Sequence, residues 1–446
     1  MSDKPQHRQS RVPGTRLGRA LRLGLTAGEL ALGGLGEGLR RVGKRSIGSA
    51  ETPSHSPFLT GANATRLARR LAHMRGAAMK LGQLISMESE HVLPAEFTDA
   101  LAILRDAADS MTDAQLNRLL GREFGRNWQD RFAEFDYQPI AAASIGQVHY
   151  ARTPEGLELA LKIQYPGVAR SIDSDVNNMA ALLRASRILP MEMDISGIVT
   201  EARRQLKQEA DYLQEAEYLR RYRKFVADEP RFQVPAVHEE FTTRRILAMD
   251  FMPGEPLDVV EKNEIPQQRR NRIGALLYHL LFRELFEFGM MQTDPNFANY
   301  LLQQESGDLV LLDFGSTVDF APEFTSRYAR ICRAMIDDDR ASLRQVAEEI
   351  GYLQPGCSAG HADEVLDLIL LICEPLRHAG VYDFGTSDLI RRARDAGMDL
   401  VFRSGEFHAP PPATIFLHRK LVGSFLLCGR LRARVDVRAL IEPFLD

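Results

Sequence analysis

The chain has 446 residues, 44% hydrophobic and 26% charged, with a formal net charge of -4 at pH 7. That is an ordinary globular composition, long enough for more than one core, and its slight acidity speaks against bulk nucleic-acid binding. Four cysteines (Cys332, Cys357, Cys373 and Cys428) are scattered without a CxxC pair, which points to a reducing compartment and away from a zinc site. No apolar run in the sequence is long enough to span a bilayer, and no secretory signal pattern is expected.

Residues 1–52 stand apart. The first 50 carry ten Lys/Arg against three acids, and Leu17, Leu21 and Leu25 recur every four residues among Arg16, Arg19 and Arg22. This is the pattern of an amphipathic helix on an anionic membrane, though Gly33, Gly34, Gly36 and Gly38 suit a flexible basic tail equally well. Residues 53–135 turn helical, with Leu67, Leu71, Met74, Ala78, Leu81 and Leu84 mostly at three- and four-residue steps. Helices are also predicted over 97–104 and 114–124.

Residues 136–254 change period. Val148–Ala151 and Leu159–Ile163 read as two strands joined by a Pro154-Glu155-Gly156 turn. Helices are predicted over 172–189 and, as one piece, over 195–227; a strand over 245–251 ends at Pro253-Gly254. Residues 255–446 read as mostly helical. A long helix over 267–288 leads into a polar loop, a short strand covers 310–312, and Pro410-Pro411-Pro412 breaks the last helices. The fold class expected from this order is α+β, with a sheet-rich lobe followed by a helical one.

The chemistry gathers in a few places. Asp294 and Asn299 stand in the spacing D-x-x-x-x-N of a phosphoryl-transfer loop, and Asp313-Phe314-Gly315 follows one hairpin later. Two carboxylates and an amide supply hard oxygen donors for Mg2+ and a base near the attacking oxygen. Lys162, inside Ala160-Leu161-Lys162-Ile163, is a charge within an apolar strand and needs a partner; its expected task is to neutralise phosphate oxygens of ATP or ADP. Glu209, Asp211 and Glu215 are the candidate partners, and spacing does not choose among them. Ala141, Ala142, Ala143 and Ser144 supply small residues where backbone amides approach phosphates, with alanine where glycine is usual. Gln292-Thr293 replaces the usual His-Arg, and the segment after Gly315 is short for docking a protein peptide.

Together with Lys80-Leu81-Gly82-Gln83, Glu209-Ala210-Asp211, the alanine stretch, Gln292–Asn299 and Leu417-His418-Arg419-Lys420 with Gly423-Ser424-Phe425, these motifs resemble the UbiB/ADCK (aarF-domain) family of atypical kinases. The likeness runs from about residue 65 to the C-terminus and is strongest to the subgroup of mitochondrial ubiquinone-biosynthesis members. It implies a bilobal kinase-like fold with a helical KxGQ extension over 53–135. By the family pattern, Glu215 pairs with Lys162, and Asn299 and Asp313 hold the metal. Asp294 takes the base position. Lys80 and Gln83 occupy the peptide-binding space, tied down by Glu209 and Asp211.

The activity implied is ATP hydrolysis or phosphorylation of a small molecule or lipid in support of ubiquinone biosynthesis. A nucleotide-gated lipid chaperone without turnover is the alternative, and a conventional protein kinase ranks last. The expected partners are quinone-biosynthesis enzymes or a quinone-like lipid, an anionic membrane surface and a second copy of the chain. The expected location is the periphery of a bacterial inner membrane or, alternatively, the matrix face of the mitochondrial one.

Overall fold

The computed structural model describes residues 110–185, 195–257, 265–354, 356–404 and 412–445. Lys80, Gln83 and the basic N-terminal stretch lie outside them. The chain packs as two units: residues up to Ala216 with Val237–Phe251, and Glu217–Ala236 with everything from Met252 onward.

In the first unit, helix α1 (Asp113–Phe124) is capped by Thr112, whose side chain accepts from the Gln115 amide, and buries Leu116, Leu119 and Leu120. An antiparallel sheet runs in the order β1 (Glu134–Phe135), β3 (Gly146–Arg152), β4 (Glu158–Gln164), β6 (Ile246–Asp250), with β2 (Ala141–Ala142) paired to β3. Successive side chains of a strand face opposite ways. Leu159, Leu161 and Ile163 of β4 therefore join Trp128, Phe132, Phe241 and the α1 leucines in one core, while Ala160, Lys162 and Gln164 face the other side. At Gly146 a Cβ would sit 2.4 Å from the Ile163 carbonyl oxygen, so β3 can start there only with glycine.

Beyond the sheet come α2 (Val168–Ala185), α3 (Ser196–Glu209) and α4 (Tyr212–Phe225). The single helix expected over 195–227 is thus two. Asp211 breaks it: its side chain accepts from the Gln214 amide at 3.1 Å and caps α4. The carbonyl of Ala210 turns to the Gln164 side-chain amide at 2.8 Å. The division between the two packing units falls inside α4, after Ala216.

The second unit holds a four-stranded sheet in the order β5 (Phe232–Gln233), β10 (Leu309–Leu311), β9 (Tyr300–Leu302), β7 (Glu255–Pro256). Helix α5 (Gln267–Phe282) is buried on most of its turns and passes into a π-helical turn, Arg283–Glu287, rather than continuing as an α-helix to 288. That turn leads into β8 (Met290–Gln292), which pairs antiparallel with β11 (Thr317–Asp319). Helices α6 (Pro322–Ile336), α7 (Arg340–Ile350), α8 (Ala359–Ile372) and α9 (Leu389–Ser404) follow. Tyr382–Asp383 (β12) pairs with Arg434–Val435 (β13) on either side of α10 (Pro412–Arg430). Ala321-Pro322-Glu323 is a helix start, with Pro322 in the first turn of α6.

Candidate active site

The first constellation is built on β4 and α4. Lys162 Nζ donates to Glu215 Oε1 at 2.7 Å, with the lysine side chain 9% exposed and the glutamate 0%. The ammonium also lies 5.4 Å from the Tyr212 ring centroid. Glu215 sits in the first turn of α4, where the helix dipole favours a negative charge. Of the three candidate acids, geometry gives Lys162 to Glu215. Glu209 ends α3 and accepts from the Ser144 hydroxyl at 2.5 Å, which pins the end of the alanine stretch. Asp211 is exposed and caps α4.

The alanine stretch is a hairpin arm. Ala141 and Ala142 are exposed and pair with Val148 and Gln147, and the Ala143 amide donates to the Gly146 carbonyl at 3.0 Å. Ser144 and Ile145 form the turn between β2 and β3. Such an arm leaves backbone close to the surface without bulky side chains.

The second constellation lies on the loop after β8 and the turn after β10. The carbonyl of Asp294 accepts from the side-chain amides of Gln292 at 2.9 Å and Asn299 at 2.8 Å, and from the Asn296 backbone at 2.9 Å. Thr293 donates to the Ser316 carbonyl through both its amide and its hydroxyl. Gln292-Thr293, where His-Arg is usual, therefore clamps the backbone of Asp294 and ties it to the segment after Gly315. The Leu312 amide donates to the Asn299 carbonyl at 3.0 Å, which sets Asn299 beside the turn that carries Asp313. Asp313 Oδ1 accepts from the Gly315 amide at 3.0 Å. Phe314 is buried 4.4 Å from the Tyr222 ring.

The donor chemistry suits Mg2+. Asn299 spends its N–H2 on Asp294, which turns its side-chain oxygen the other way, and Asp313 is half-buried with a second carboxylate oxygen. Among the described residues no cluster of three or more His, Cys, Asp or Glu forms an all-protein cage. One carboxylate, one amide oxygen and substrate phosphates are the way Mg2+ is commonly held.

Sequence reasoning gave no role to the charges behind this loop. Arg419 Nη2 lies 2.8 Å from Asp294 Oδ1. Lys420 Nζ lies 2.9 Å from Glu284 Oε2, both side chains almost wholly buried. Glu284 also accepts from Tyr222 Oη at 2.8 Å and from the Gln292 amide at 3.3 Å. Burial raises the Glu284 pKa against the pull of Lys420. Burial likewise opposes the charge of Lys420, but Glu284 and Tyr300 outweigh it and hold its pKa above the ordinary value. A signal was present: two cations inside the otherwise apolar run of α10 must each find a partner.

An ABC1 atypical kinase-like domain matches residues 103–347. The chain is similar to "Atypical kinase COQ8B, mitochondrial" of Rattus norvegicus, with 39% identity over 99% of this chain and 82% of that one. It is 35% identical to "Atypical kinase COQ8, mitochondrial" of Saccharomyces cerevisiae over 98% of this chain and 86% of that one. Among solved structures, Rv3197 of Mycobacterium tuberculosis, in complex with erythromycin, covers 85% of this chain and 95% of its own at 27% identity and a TM-score of 0.58. The class is that of a kinase-like α+β phosphotransferase, an atypical kinase. The chain belongs to the UbiB/ADCK family, whose shared domain is the ABC1 domain. Its relatives are named as mitochondrial, and among the described residues no helix is long and apolar enough to cross a membrane.

Proposed function

We propose that the chain binds ATP with Mg2+ and hydrolyses it, or passes its terminal phosphate to a small molecule or lipid, in support of ubiquinone biosynthesis at a membrane surface. The observation that carries the nucleotide part is the buried Lys162–Glu215 pair at 2.7 Å. Burying two charges costs several kcal/mol each before their attraction is counted. Such a cost is readily understood where the lysine is kept for phosphate oxygens.

In this reading Lys162 neutralises the α/β-phosphates, and the β2–β3 arm with Ala141, Ala142, Ala143 and Ser144 lies over them. Asn299 and Asp313 would hold the metal, which supplies charge neutralisation at the transferring phosphate. Asp294 accepts the proton of the attacking hydroxyl or water, a contribution of roughly 10²–10⁴-fold. Lys80 and Gln83, with Glu209 and Asp211, keep a peptide out. The segment after Gly315 supports a non-protein substrate: β11 already pairs with β8, and α6 begins at Pro322. Membrane contact is peripheral, through the basic stretch 1–52, on the matrix face of the mitochondrial inner membrane or its bacterial counterpart. Quinone-ring enzymes and a second copy of the chain are the partners.

The test is quinone-lipid profiling of a deletion strain complemented with wild type or Asp294→Asn. Wild type restores the quinone and Asp294→Asn does not. Restoration by the variant removes turnover from the account.

A further inference from the structure

Helix α10 lies against the loop that carries Asp294 at three points. Arg419 Nη2 is 2.8 Å from Asp294 Oδ1. A Cβ at Gly423 would fall 1.9 Å from Pro295 Cγ, so helix backbone and proline ring are in direct contact. The Arg430 guanidinium lies 4.5 Å from the Phe297 ring centroid. Positions 419, 423 and 430 step by four and seven residues and share one helical face. One side of α10 is thus the bed of the loop from Asp294 to Phe297.

The charge pair is asymmetric. The Arg419 side chain is 6% exposed and Asp294 is 26% exposed. The guanidinium is buried, while the Asp294 side chain is partly exposed. The backbone of Asp294 is already fixed without it, because Gln292, Asn296 and Asn299 all donate to its carbonyl. Arg419 reaches the carboxylate itself, at Oδ1. The loop from Gln292 to Asn299 contains no lysine or arginine of its own, so a cation for the base must come from elsewhere in the chain.

We infer that Arg419 is a positioning residue: it holds one carboxylate oxygen of Asp294 so that the other faces the attacking group. A base oriented by a third group is a recurrent arrangement in catalysis. The guanidinium suits it because its planar fork fixes direction as well as charge, which an ammonium does not. This inference rests on the reading of Asp294 as the base.

The test is steady-state ATP hydrolysis by the purified full chain with Mg2+, in wild type, Arg419→Gln, Arg419→Lys, Asp294→Asn and the double variant Asp294→Asn/Arg419→Gln. Misorienting a reacting group costs on the order of 10²-fold, so kcat of Arg419→Gln falls by about that factor. KM for ATP stays within about twofold, because Lys162, Asn299 and Asp313 are untouched. Arg419→Lys recovers part of the rate. The double variant is no slower than Asp294→Asn alone, since Arg419 acts through that carboxylate.

Wild-type kcat in Arg419→Gln, with Asp294→Asn inactive, overturns the inference and leaves the base reading standing. A double variant slower than Asp294→Asn by the full Arg419→Gln factor also overturns it, because the arginine then acts elsewhere. Full turnover by Asp294→Asn overturns both. Should Arg419→Gln not fold, Arg419→Lys is read instead: it keeps the charge and loses the planar fork, and a lowered kcat at unchanged KM supports the inference, whereas wild-type kcat refutes it.

Discussion

Replacing Glu215 by alanine leaves the Lys162 ammonium without its carboxylate in a place where the lysine side chain is 9% exposed and its partner is fully buried. Breaking a buried ion pair from one side costs about 3–5 kcal/mol. At about 2–4 °C per kcal/mol, the melting temperature falls by about 6–20 °C. Part of the cation's stabilisation survives on the Tyr212 ring, 5.4 Å away, which places the loss nearer the lower end. Glu215→Gln keeps an acceptor oxygen and loses less. The double variant Lys162→Met/Glu215→Leu removes both charges together, and its stability returns to near wild type. ATP binding does not return with it. Thermal melts with and without Mg-ATP read both quantities, because a bound ligand raises the melting temperature. A Glu215→Ala melt within about 2 °C of wild type would refute the energetic reasoning. A nucleotide-induced shift in the double variant would refute the role of Lys162.

Two further outcomes are expected. Burial pushes His418 from 6.5 down to about 4, and its ring stacks on Tyr352 with a hydrogen bond between Nε2 and Oη. The folded pKa lies below the unfolded one, so the stability it contributes is complete above pH 6.5 and is lost as the pH falls through 4, up to about 3 kcal/mol; burial lowers His149 and His279 in the same direction. Urea midpoints of wild type and His418→Gln between pH 7 and 4 should show the smaller acid loss in the variant, and equal losses would remove His418 as a source. Ala142→Gly, on the exposed β2 arm, frees the backbone of that arm; it should change the relative affinities for ATP and ADP or permit self-phosphorylation, and a variant identical to wild type in both counts against the arm as a nucleotide cover.

The candidate site residues stood out in the sequence because they break local expectation. A lysine among Ala160, Leu161 and Ile163 demands a partner wherever it is found. The Asp294/Asn299 spacing and Asp313-Phe314-Gly315 fall on either side of the β9–β10 hairpin, a short-range relation that a linear reading carries. The choice of Glu215 over Glu209 and Asp211 was different in kind. It depends on Asp211 ending one helix and capping the next, and Ala210-Asp211 sits in a run whose neighbours all favour helix. The change from α to π at Arg283 has no sequence signature of its own. Arg419 was visible as a charge in an apolar helix, but its carboxylate lies 125 residues earlier. Tertiary contacts at that separation are set by the packing of whole elements.

The ATP site proposed above depends on a metal, and Asp313 is the residue proposed to take it. Its most direct test is Mg2+-dependent ATP turnover by the purified chain, wild type against Asp313→Asn, with and without anionic vesicles. Turnover should require Mg2+ in wild type and fall by about 10²-fold or more in the variant, as expected when several kcal/mol of charge stabilisation is lost. Undiminished turnover by Asp313→Asn, or turnover that chelation leaves intact, would contradict it.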